Sequence, residues 1–165
     1  MDTLRLGQQN TMLDVVRQLR QMDQVLDRIS SADVPNYEEG VFEPTVRGVT
    51  TAGTGTYSIR NGRYTRIGRL VHFELYVSWT NLTGAAGGFA VGGLPFVAAN
   101  SSTFPAVTIG YAHNLAFTAN NVLTAYINNN TDYVRLFQYP VGGGATTQMA
   151  IDTAGELILQ GVYTV

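Results

Sequence analysis

The stretch "SIRNGRYTRIGRLVHFELYVSW", residues 58–79, decides how this chain is read. Its second half alternates without a break. Val71, Phe73, Leu75, Val77 and Trp79 fall on one parity, with Leu70, His72, Glu74, Tyr76 and Ser78 on the other. A period of two puts the first set on the buried face of a β-strand and the second on the opposite face. Trp79 keeps the apolar parity and reads as core. The first half sets Arg60, Arg63, Arg66 and Arg69 around Asn61-Gly62. Asn-Gly between two strand-like runs is the favoured composition of a two-residue type I′ turn, so a hairpin tip is expected at Asn61-Gly62. Arg60 and Arg63 would then face each other across the strands. Like charges so placed cost up to about 1 kcal/mol unless an anion, a carboxylate or water compensates.

Outward from this stretch the same period recurs. "VFEPTVRG", "GFAVGGL", "AVTIGYAH", "VLTAYI", "DYVRLFQY" and "ELILQGVYTV" are further strand candidates, separated by Gly, Asn, Thr and Pro turn material. Eight or nine strands with no second helix between them imply a mainly β domain, an antiparallel β-sandwich or jelly roll. No repeat of fixed period is present, which argues against a β-helix or propeller.

The N-terminal segment has another rhythm. Met12, Val15, Leu19, Met22, Leu26 and Ile29 are spaced 3, 4, 3, 4 and 3 apart, a heptad seam. Thr11 and Asp14 resemble a helix N-terminal capping pair, and Pro35 cannot continue a helix. The reading is one short amphipathic helix in a segment spanning residues 1–36, with the β domain over 37–165. Such a helix packs either on its own domain or against copies of itself. About 20 residues are marginal as an isolated coil, so the six seam residues are candidates for oligomerisation and anchoring.

Composition narrows the function. Hydrophobic residues make up 45% of the 165, while charged residues make up 13%, about half the usual share. Net charge is -2, with no broad basic field for nucleic acid. No apolar run approaches the roughly 20 residues of a membrane-inserted helix. The absence of cysteine excludes disulfides and thiol catalysis. From residue 44 onward the only carboxylates are Glu74, Asp132, Asp152 and Glu156, and the only imidazoles are His72 and His113. A competent glycosidase pair or a metal centre is not expected from so thin a supply. "VGGGATT" at 141–147 lacks the lysine and helix of a phosphate loop. The chain reads as non-enzymatic and cofactor-free. Arg60 and Arg63, Tyr76 on the outward parity, and Asn129, Asn130 and Tyr133 in "NNNTDY" are the candidates for glycan or anion contact.

"YSIRNGRYTRIGRLVHFELYV", followed by "GGLPF" and preceded by "EEGVFEPTVRGVTT", resembles a β-sandwich module of bacteriophage tail fibres and tailspikes. The resemblance covers roughly residues 38–165 and is strongest over 57–96; Phe42 stands where many members carry Trp. It implies homotrimers, a place on the virion surface, partners in the capsid or tail base, and in several members contact with host surface glycans. It carries over no fixed set of ligand residues. Tyr64, Ile67 and Val71 become core material on this reading, and "GGLPF" a corner. The expected function is a trimeric knob decorating and cementing the capsid. The alternative is a short tail fibre or receptor-binding tip. The shortness of the chain and its small helical anchor favour the first.

Overall fold

The computed structural model describes residues 12–24 and 36–165. They fall into two units, one ending at Tyr37 and one running from Glu38 to Val165. The described part of the first is a helix over 12–24. Asp14 meets Arg17 there at 3.6 Å. Leu26, Ile29 and Thr11 lie outside the described residues.

The second unit is one antiparallel sheet of ten strands: β1 (Glu38–Phe42), β2 (Thr45–Gly48), β3 (Thr54–Ile67), β4 (Leu70–Thr83), β5 (Phe89–Gly92), β6 (Ala106–His113), β7 (Asn121–Ile127), β8 (Tyr133–Pro140), β9 (Thr147–Gln148) and β10 (Gly155–Thr164). The hydrogen-bonded order is β1-β3-β4-β10-β6-β7-β8-β5-β2, with β9 joined to β8. The mainly β, antiparallel expectation holds. In place of two separate sheets, a single path curls around the core. β10 is the last strand in sequence and lies mid-sheet, between β4 and β6.

The two ends of the path, β1 and β2, are neighbours in sequence. "VFEPTVRG" is therefore two strands, split at Pro44, which has no N–H to give a ladder. β1 continues one end of the sheet and β2 the other. Side chains of β3 hold the junction. The Tyr57 hydroxyl accepts from Val46 N–H at 3.0 Å and donates to Val46 C=O at 3.4 Å. Arg60 donates through Nε to Pro44 C=O at 3.0 Å and through Nη2 to Glu43 C=O at 3.3 Å. Backbone groups left without a strand neighbour thus find side-chain partners.

The hairpin expected at Asn61-Gly62 does not form. Both residues lie inside β3, where Asn61 faces Tyr76 and Gly62 faces Leu75 on β4. The turn comes seven residues later, at Gly68-Arg69, with Ile67 opposite Leu70. Positive φ falls on Gly68, at 59°, and not on Arg69, which suits a turn of II′ type. Gly62 has a different task. It is paired with Phe42 of β1, and a Cβ on it would lie 2.6 Å from the Phe42 ring. Phe73 is laid over Gly161 in the same way, at 2.8 Å. Aromatic rings covering the glycine opposite are a recurrent device of this sheet.

The alternation of β4 holds throughout: Val71, Phe73, Leu75, Val77 and Trp79 are all buried. They pack with Leu157, Leu159 and Tyr163 of β10, Leu136 of β8 and Phe89 of β5. Trp79 meets Phe89 at 5.5 Å between ring centroids. Fully burying side chains of this size contributes about 1.5–3 kcal/mol each. Tyr64 is half-buried and packs edge-on against Phe96 at 5.3 Å. Ile67 departs from expectation: it is exposed, because its parity places it opposite Leu70 on the outer face beside the turn.

Tyr163 carries a pH dependence. It is 2% exposed; its hydroxyl donates to Phe96 C=O at 3.0 Å and accepts from Phe96 N–H at 3.3 Å. Burial pushes its phenol from 10.0 up to about 12. Its contribution is full below pH 10, where neither state ionises, and is lost as pH climbs from 10 to about 12 because the unfolded chain ionises first. Thermal melts across that window should lose on the order of 2 kcal/mol through this group. Tyr163→Phe should show a shallower alkaline decline; an unchanged slope would assign the decline to other residues.

Candidate functional site

The outward parity of β4 and its neighbours forms one broad face. Register places Val41 of β1, Arg63 of β3, Glu74 of β4 and Gln160 of β10 in one row. Glu39, Thr65, His72 and Val162 form the next, and Asn61, Tyr76 and Ile158 a third. A depression of about 590 Å³ lies over the first two rows, lined by Glu39, Val41, Arg63, Thr65, His72 and Glu74. A smaller one of about 220 Å³ joins it at Arg63 and Glu74 and extends to Tyr76 and Ile158.

This arrangement brings Arg63 and Tyr76 together and separates them from Arg60. Three residues apart on a strand means opposite faces. Arg60 is drawn into the β1–β2 junction, where it also meets the Glu43 carboxylate at 2.9 Å and lies 4.7 Å over the Tyr57 ring. Arg60 is thus spoken for by the fold. Arg63 sits opposite Glu74 without closing an ion pair, and makes none among the described residues. Tyr76 donates to Glu156 at 3.1 Å, and that bond to a carboxylate raises its phenol above the ordinary value. Tyr64, on the inner parity, is raised in the same sense by its 2.7 Å bond to Glu38.

The "NNNTDY" residues lie elsewhere. Asn130 adopts a left-handed φ of 58° and its N–H donates to Ala98 C=O at 3.0 Å. Asn129 donates through Nδ2 to Ser101 C=O. Ala98 and Leu94 return bonds to Thr131 and Asp132 C=O at 2.9 and 3.0 Å. The loop is thereby stitched to the segment following "GGLPF". Tyr133 begins β8 and lies under the Arg47 guanidinium, 4.9 Å from it. On the helix, Met12, Val15, Leu19 and Met22 are all exposed.

Chemically, the face offers donors, acceptors and apolar edges for reversible contact. Among the described residues no three His, Asp or Glu side chains converge as a metal would require. Several carboxylates are already engaged: Glu156 by Tyr76, Glu38 by Tyr64, Glu43 by Arg60, and Asp152 by Ala116 N–H at 3.1 Å. Burial outweighs that last bond and raises the Asp152 carboxyl above the usual range.

No family model matches the chain, and no curated protein matches it. Among solved structures, a crystal structure of the Dettilon tailspike protein (gp208) superposes with a TM-score of 0.62 at 20% identity. The fold resembles that of part of this tailspike. The match covers 78% of this chain and 24% of the tailspike, so the chain spans about a quarter of its length. At that identity the likeness concerns the fold, and no residue of the face described above is transferred from it.

Proposed function

We propose that this protein is a non-catalytic structural component of a phage virion, displayed at the particle surface and working through contacts alone. The observation carrying this reading is the fold shared with a tailspike at a TM-score of 0.62. Engagement of Glu38, Glu43, Asp152 and Glu156 in structural bonds supports a role without a chemical step. The exposed heptad seam at Met12, Val15, Leu19 and Met22 supports association with further copies, a trimer being the expected form.

A tail location is favoured over capsid decoration. Shortness, one of the two grounds for decoration beside the small helical anchor, carries less weight beside a tailspike in which a similar fold occupies about a quarter of the chain. Gold labelling of intact particles, viewed by electron microscopy, tests this. Label confined to the tail is expected. Label scattered over the head would establish the decoration reading instead, and particles without label would remove the protein from the virion.

A further inference from the structure

The path of the sheet leaves two end strands, and their free edges differ. β2 pairs only with β5, and β1 only with β3. An end strand turns alternate N–H and C=O groups away from its neighbour. On β2 those groups are answered. The Tyr57 hydroxyl takes both the N–H and the C=O of Val46, and Gly48 N–H donates to Ala52 C=O at 3.2 Å. On β1 they are open. Among the described residues of the β domain, no backbone hydrogen bond reaches Glu38–Phe42 except from β3.

Of the devices that keep an open edge from pairing, β1 has only charge. It runs beside β3 for five residues without a bulge or a proline. Val41 within it is 80% exposed. Residues 36–44 hold Glu38, Glu39 and Glu43 and no arginine, so a second β1 laid alongside would bring acids near acids. Arg66 and Arg60 draw Glu38 and Glu43 at 3.9 and 2.9 Å. Glu39 has no ion-pair partner among the described residues. Glu39 and Val41 share the outer parity and both line the 590 Å³ depression. The edge thus offers unused backbone groups, an apolar side chain and an unanswered carboxylate.

We infer that β1 accepts an added strand from another protein, an extended segment bearing lysine or arginine. Every strand pair in this sheet is antiparallel, so the incoming segment runs against β1 and fills its open edge with its own N–H and C=O groups. The order of its side chains follows from β1. Apolar residues stand opposite Phe42 and Val41, a small one opposite Gly40, and basic residues opposite Glu39 and Glu38. A second copy of β1 brings glutamates to the same edge and fits less well. The inference stands on strand order and edge chemistry and not on where the protein sits in a particle, so it and the virion reading fail separately.

The test is fluorescence anisotropy of the full chain with the labelled peptide Thr-Val-Val-Thr-Lys-Lys-Thr, blocked at both ends, at low salt. Binding is expected, and hydrogen exchange at Glu38–Phe42 should slow with it. The same peptide with glutamate in place of lysine should bind roughly fivefold or more weakly, and Glu39→Lys should reverse that preference. N-methylation of alternate peptide residues separates a strand ladder from charge attraction. Of the two possible patterns, one should weaken binding by roughly tenfold or more and the other leave it nearly intact. Should Glu39→Lys fail to fold by circular dichroism, the methylation pair alone decides. No binding of the lysine peptide, protection outside β1, equal binding by both methylated forms, or an unaltered preference in Glu39→Lys would each overturn the assignment. Amides of Glu38–Phe42 already protected by self-association of the free chain would do the same, since a second copy would then hold the edge.

Discussion

Gly48→Ala is expected to lower the melting midpoint of the β domain by on the order of 10 °C, or to prevent folding. Gly48 ends β2, beside the loop segment Thr50–Thr51 and Ala86. A Cβ there would lie 2.2 Å from Ala86 O, 2.6 Å from Ala86 N and 2.6 Å from Thr51 O. All three are backbone atoms, so no rotamer change relieves the clash. The backbone cannot move freely either: Ala86 C=O accepts from Thr50 and Thr51 N–H at 3.0 and 3.1 Å, and Ala86 N–H donates to Thr51 C=O at 3.1 Å. Overpacking a fitted site costs about 1–3 kcal/mol and more where the chain itself must shift. Gly110→Ala is the control, because its Cβ would meet Ile158 Cγ2 at an ordinary 3.6 Å. Thermal melts of the two variants should separate widely; coincident midpoints would mean the loop yields cheaply.

Trp79→Ala should destabilise the domain by about 3–5 kcal/mol. The indole is 1% exposed, packs on Phe89, and covers Gly155, where a Cβ would lie 2.9 Å from the ring. Its Nε1 donates to Asp152 C=O at 3.1 Å, so truncation empties a large volume and strips a carbonyl of its partner. Trp79→Phe should cost less, since it keeps much of the packing and loses mainly the bond. Trp79 is the single tryptophan, so urea midpoints should be read by far-ultraviolet circular dichroism. A loss below about 1 kcal/mol for the alanine variant would place the indole outside the packing that holds the sheet.

The sequence announced what depends on nearest neighbours along the chain. Strand parity in β4 predicted its whole buried face, and "AVTIGYAH" coincides with β6. Misreadings occurred where a distant partner sets the rule. Asn61-Gly62 has turn composition, yet Gly62 is glycine because the Phe42 ring, twenty residues upstream, lies against it. Nothing local distinguishes the two uses of glycine. Arg60 reads in sequence as a candidate for anion contact because its acceptors, Glu43 and Pro44 C=O, come from the link between β1 and β2, seventeen and sixteen residues upstream. The two-residue β9 is too short to show a period. Of the outer faces, one is partly legible: parity places Arg63 and Tyr76 on the same side of the sheet, where both line one depression. The arginines stacked on rings around β8 leave a local mark in the sequence. "YVRLFQY" puts Tyr133, Arg135, Phe137 and Tyr139 on a single parity, while Arg47 reaches them through β5, which periodicity cannot reveal.

The mid-sheet position of β10 governs when this domain becomes a domain during synthesis. β4 and β6 meet no partner in common except β10, so the two halves of the curl stay unjoined there until residue 164 has left the ribosome. Until then long strands with open edges wait in a crowded cell, held apart by slow, long-range pairing. Release of β10 then joins β4 to β6 through a shared partner. A ribosome stalled before Gly155 should therefore display a nascent chain that proteases cut freely, and one stalled far enough past Val165 to free β10 a resistant one.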